Sequence, residues 1–178
     1  MANLLWERIV VALTTMPNVR DLGLTAVAFA AYAVFALPIG FFSGFLQWQV
    51  HTEKRWQIVL QTLVTPALFE EIVFRGALLP RPGAGHTTAT VWLWSSLSLF
   101  LFVIYHPING VTLYKQGYFT FRQPVFLGLA ALLGVICTVL YLLTGSLWPS
   151  VVVHWIVVVV WLGWLGGIER LVQPSGQD

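Results

Sequence analysis

Three formal charges fall within six residues of an otherwise apolar stretch: Glu70, Glu71 and Arg75, in Pro66-Ala67-Leu68-Phe69-Glu70-Glu71-Ile72-Val73-Phe74-Arg75-Gly76. A charge at mid-bilayer costs roughly 2.5–3.5 kcal/mol on insertion scales, so residues of this kind are paired or put to use. Helical spacing sorts them. Glu71 and Arg75 are i,i+4 with the acid first, the favoured order for a same-face ion pair. Glu70 is turned about 100° from Glu71 and is worse placed for that pair. One carboxylate is thereby accounted for, and the other needs a partner or a task. Two histidines join them. His106 closes another apolar segment, in Phe102-Val103-Ile104-Tyr105-His106-Pro107, and His154 lies inside a later one, in Trp148-Pro149-Ser150-Val151-Val152-Val153-His154. Two imidazoles and a free carboxylate on three helices can activate water and steady an oxyanion. Glu70, His106 and His154 are also the donor types of a catalytic zinc site, although no His-Glu-x-x-His pair occurs. Spacing leaves a third use open, in which Arg75 ties helices together through both acids.

The elements that hold these residues must be membrane helices. Of 178 residues, 58% are apolar and 9% charged, against about 45–50% and 25% in soluble domains. The mean hydropathy of +0.81, nine Trp and twelve Phe indicate a polytopic membrane protein, partnered by the lipid bilayer. The same composition, with a net charge of +2, excludes a disordered or nucleic-acid-binding chain. The lone Cys137 excludes an intrachain disulfide and a cysteine-rich metal site. The expected fold is all-α, a single membrane domain over residues 1–178, with five spans at 22–46, 56–79, 88–106, 124–143 and 147–168. A breaker at 80–86, a loop at 107–123 and a tight turn at 144–146 separate them. Residues 3–16 are expected to form a short interfacial helix, or else a partial span buried against the others. Pro66 frees the carbonyl of Thr62 and should bend or open its helix just before the acids. Gly40/Gly44 and Gly163/Gly167 read as small-residue helix contacts, and His51 and His86 as solvated loop residues. Lys54, Arg55, Lys115, Arg122 and Arg170 outnumber Arg8, Arg20 and Arg81 across the membrane, which assigns their side to the cytoplasm. At about 1.5 Å per residue, Glu70 and His154 lie roughly 10–15 Å from one face, whereas His106 ends a straight third span at the other. That span must tilt, start late or bend if the three are to meet.

Glu-Glu-x-x-x-Arg on one span, Phe-x-x-x-His on the next and a later intramembrane His resemble the CPBP (Abi) family of glutamic intramembrane proteases. That family includes the CAAX prenyl endoproteases and the bacteriocin-processing and self-immunity proteins. The resemblance covers residues 56–168, the expected protease core. It implies an intramembrane endopeptidase that uses water directly, with no metal, no cofactor and no acyl-enzyme. Glu70 resembles the general base, with Glu71 the second acid of the pair. His106 would bind the water, His154 would donate to the oxyanion, and Arg75 would orient the acids. The implied substrate is a membrane-associated polypeptide, prenylated or not, and the implied setting a multi-pass protein of the bacterial plasma membrane. One position departs from the pattern. The family commonly has Asn four residues after the last His, as a second oxyanion donor, and here Val158 stands there. Asn109, beside His106, is the nearest substitute by sequence. The departure also suits a non-catalytic scaffold or immunity-type binding protein of the same fold. A transporter is the remaining alternative, for which a chain without a repeat offers little.

Overall fold

The computed structural model describes residues 2–53 and 55–172. Helix α1 (Ala2–Thr14) leads into α2 (Val19–Phe42), and α3 (Arg55–Ala77) and α4 (Thr88–Val111) follow. Two short 3-10 turns then precede α5 (Pro124–Thr144), α6 (Trp148–Trp164) and α7 (Gly167–Val172). No strand occurs among the described residues. Four helices, α2 to α5, are long and apolar enough to cross a bilayer, and α6 is a shorter apolar helix of 17 residues. Large apolar side chains such as Val34, Phe35, Trp92, Leu93, Phe100 and Val139 face outward, as a lipid solvent requires.

The helix ends follow local chemistry. Asn18 and Asp21 form a reciprocal cap at the start of α2, with bonds of 3.0 and 3.1 Å. The Thr87 hydroxyl accepts from the Thr90 amide at the start of α4. Pro124 opens α5, and Gly145, at φ +67°, closes it in the left-handed conformation that glycine takes without steric cost. Helix α5 is the hub, packing on α2, α4 and α6. An aromatic cluster that includes Phe45, Phe74, Phe102, Phe121 and Phe126 fills the centre.

Several elements differ from the sequence expectation. Helix α4 does not stop at His106 but runs through Pro107 to Val111. A proline removes only one intrahelical bond, so the helix resumes, and His106 moves about one and a half turns in from the end. The fifth span is shorter than expected, because the chain breaks at Leu165-Gly166 before α7. Helix α1 packs on Ile72–Ala77 and is tied to the turn before α6. Ser146 Oγ donates to the Thr15 carbonyl at 2.6 Å and Trp148 Nε1 to that of Leu13 at 2.9 Å. The glycine pairs do not join helices. Gly44 lies beyond α2 at φ +69°, and a Cβ on Gly40 would lie 2.4 Å from the Leu46 side chain. Both let residues 43–51 fold back along the end of α6, where the Gln49 and His51 amides reach the carbonyls of Trp164 and Gly163. His51 is not free in solvent either, since its Nδ1 lies 3.4 Å from Glu169 Oε1.

Candidate active site

Helix α3 delivers both acids through an unusual backbone. Thr65 leaves the helical conformation (φ −137°, ψ 111°), so the helix opens beside Pro66, the second of the two outcomes expected there. Wide i→i+5 stretches at Leu63–Leu68 and Ile72–Ala77 flank one regular turn, Phe69–Glu71. Such wide turns detach carbonyls from the regular ladder and often occur at functional sites. The Phe74 carbonyl accepts instead from Ser98 Oγ on α4, at 2.5 Å.

The side chains converge on Glu71. Its Oε1 accepts from Arg75 Nη1 at 3.0 Å, the pair read from the spacing, and from His154 Nδ1 at 2.9 Å. Arg75 Nη2 donates to the Gly134 carbonyl of α5 at 2.8 Å, and its guanidinium lies 4.5 Å from the Phe102 ring centre. Arg75 therefore links three helices but bonds only one of the two acids. Glu70, Glu71, Arg75 and His154 are each no more than 3% exposed. Because a carboxylate only accepts, the proton on His154 Nδ1 faces Glu71, and Nε2 points toward Glu70. Nε2 lies 3.9 Å from Glu70 Oε2, an ion-pair distance too long for a hydrogen bond.

Glu70 is the acid without a hydrogen bond among the described residues. Its Oε2 is closed off by protein and unpartnered, while the residue lines a cavity of about 570 Å³. His106, Asn109, His154 and Val158 line the same cavity, whose remaining walls are largely apolar. His106 Nδ1 contacts the Phe102 carbonyl at 2.9 Å, which leaves Nε2 without a partner among the described residues. The Phe102 ring stands edge-on to both imidazoles, with centroids 5.0 Å from His106 and 5.9 Å from His154. The five singled-out side chains thus divide. Glu70, Glu71, Arg75 and His154 form one contiguous cluster, and His106 joins it across Phe102 and the shared cavity. Among the described residues, no three His, Cys, Asp or Glu side chains are arranged to share a metal ion.

Sequence reasoning overlooked three contributors. Phe102 entered only as a motif letter, and Ser98 and Gly134 not at all. Gly134 could have been noticed as a glycine inside a Leu-rich helix. A Cβ there would lie 2.7 Å from Leu99 Cδ1 and 3.0 Å from Phe102 Cδ1, so glycine is what lets α5 bring its carbonyl to Arg75.

The fold and this cluster define a multi-pass integral membrane protein with a buried acid–imidazole–arginine site on the wall of an open-mouthed cavity. Residues 51–160 match the family model described as type II CAAX prenyl endopeptidase Rce1-like, and the chain belongs to that family. It is a protease family, and the fold is that of a CAAX-protease-like intramembrane endopeptidase, in line with the CPBP resemblance of the three motifs. Comparison with curated proteins and with solved structures gave no match.

Proposed function

We propose that the chain hydrolyses a peptide bond of a membrane-associated polypeptide, with Glu70 as general base and residues 56–168 as the working core. The observation that carries this reading is the isolation of Glu70, a buried carboxylate with no hydrogen bond among the described residues, on a cavity wall beside the Nε2 of His154. A structural acid would be spent on a partner, as Glu71 is. With His154 protonated on both nitrogens, two carboxylates face two cations and the buried cluster carries no net charge. That is the inexpensive arrangement for ions at membrane depth.

In this mechanism Glu70 takes a proton from a water held between it and His106 Nε2. The resulting hydroxide attacks the substrate carbonyl carbon, and its C=O pair moves to oxygen. That oxyanion accepts from His154 Nε2–H, while Glu71 holds the other ring nitrogen and fixes the imidazole's angle. Collapse of the tetrahedral intermediate breaks the C–N bond. Glu70 passes its proton to the leaving amine and returns to the carboxylate, so the bond is cleaved at the expense of one water.

Val158 favours a second reading, a binding protein of the same fold. It lines the cavity one helical turn past His154 and offers no donor. One experiment separates the two. Turnover of a quenched-fluorescent farnesylated peptide ending in a CaaX sequence, and of unprenylated membrane peptides, is measured for wild type and Glu70→Gln. The hydrolase reading expects wild-type turnover that persists in excess chelator and vanishes in the near-isosteric variant. Equal turnover in both proteins would refute Glu70 as base, chelator-sensitive turnover would favour zinc, and no turnover with tight peptide binding would favour the binding protein.

A further inference from the structure

We infer that the Asn109 side chain donates a hydrogen bond to the carbonyl oxygen of the scissile bond, as a second oxyanion donor beside His154; this rests on the hydrolytic reading above. A tetrahedral oxyanion formed away from water needs more than one donor aimed at it. The position one turn past His154 cannot supply it, because Val158 has no polar atom. Helix α4 supplies a candidate because it continues through Pro107. Asn109 then sits one turn beyond His106 on the same face, about 4.5 Å further along the axis. Both residues line the cavity that holds Glu70 and His154.

The Asn109 amide is uncommitted. Its Oδ1 is closed off by protein with no partner, and its Nδ2 makes no hydrogen bond among the described residues, on a side chain that lines the cavity. Its backbone, by contrast, is fixed, since the Asn109 carbonyl accepts from the Tyr114 amide at 2.8 Å and from Thr112 at 3.2 Å. Other donors on the cavity wall are spent or badly placed. The Thr62 hydroxyl donates to the Ile58 carbonyl at 2.7 Å, and Gln61, Thr65 and Tyr114 lie at the exposed rim. Among the described residues, the competitors are Tyr32 of α2 and Trp161 of α6, whose N–H is buried without a partner on the same cavity wall.

The test measures kcat and KM of the farnesylated peptide for wild type, Asn109→Leu, Tyr32→Phe, Trp161→Phe, Val158→Asn and the Asn109→Leu/Val158→Asn double variant. It adds the Kd of a phosphinic isostere, a tetrahedral anion at the scissile position. Asn109→Leu should lower kcat by about 10²–10³-fold with KM little changed, and weaken the isostere by a similar factor. Adding Val158→Asn to that background should recover part of the loss, which a merely structural role for Asn109 would not allow. An unchanged kcat, a loss confined to KM, or a kcat loss caused by Tyr32→Phe or Trp161→Phe instead would overturn the inference. The two proposals fail separately. Turnover surviving Glu70→Gln removes the base assignment and leaves the Asn109 effect standing. If wild type cleaves nothing, the isostere decides: binding that depends on Asn109 supports the inference, and binding that is absent or independent of Asn109 overturns it.

Discussion

Arg75→Ala is the substitution whose cost can be worked most directly from the geometry. Arg75 is 0% exposed and makes three kinds of contact: the Glu71 carboxylate at 3.0 Å, the Gly134 carbonyl at 2.8 Å and the Phe102 ring at 4.5 Å. Removing one partner of a buried ion pair leaves the other charge uncompensated, at a cost of about 3–5 kcal/mol. At about 2.1 cal/mol/K of unfolding entropy per residue, a chain of 178 residues should lose roughly 8–14 °C in Tm. The molecule contains its own reporter. Cys137 is the single cysteine and is 0% exposed, so a thiol-activated fluorophore reads the opening of the core during a thermal ramp in detergent. Glu70→Gln removes no hydrogen bond among the described residues, and the imidazole it faces, unlike a guanidinium, can shed its proton rather than stay as a stranded charge, so the same transition should shift by no more than about 2 °C, taking a change of about 0.5 kcal/mol. Glu71→Gln placed on top of Arg75→Ala should recover part of the loss, because the stranded charge is gone. A Tm for Arg75→Ala within about 2 °C of wild type, or equal losses in Arg75→Ala and Glu70→Gln, would refute the division between a structural arginine and a chemical glutamate.

Two further outcomes follow from the packing around that arginine. Gly134→Ala should destabilise by about 1–3 kcal/mol, since the new methyl meets Leu99 and Phe102 within 3.0 Å; a thermal transition equal to wild type would show that α4 and α5 separate freely there. Phe102→Leu removes the ring that stands between the two imidazoles and under the guanidinium, and should cost about 1–2 kcal/mol while lowering turnover more than its stability loss explains; unchanged kcat at full folding would show that the imidazoles do not depend on it for their orientation.

The parts of the site legible in the sequence are those written within one helix. The Glu71–Arg75 pair follows from an i,i+4 spacing, and the isolation of Glu70 from its rotation on the same helix. The bond between Glu71 and His154 spans 83 residues of sequence. No periodicity encodes it, because it depends on how α3 and α6 are rolled against each other. His106 shows the opposite failure. Pro107, Asn109 and Gly110 look like a helix terminus, but one missing amide is a small loss to a helix packed on α5, so the chain continued and carried both polar side chains to the cavity. The new end leaves the start of α4 at Thr88, so His106 still lies eighteen residues, about 27 Å along the axis, from that start, and the later end does not by itself bring it level with the acids. Pro66 announced a disturbance, whereas the second wide turn at Ile72–Ala77 has no proline or glycine before Gly76 to announce it.

The length of α6 has a consequence for the surrounding lipid. Seventeen residues span about 25 Å, some 5 Å less than a typical hydrocarbon core. A helix with that shortfall draws the headgroups inward or lets the neighbouring protein cover the deficit. Here the start of α6 lies under the end of α1, held by the Ser146 and Trp148 bonds. His154 lies six residues, about 9 Å, from that start. A bilayer thinned beside this rim would shorten the distance over which water must leave the bulk to reach the imidazole. It would also bring the headgroup boundary, where a membrane-anchored chain emerges from lipid, closer to the depth of the Glu70 carboxylate.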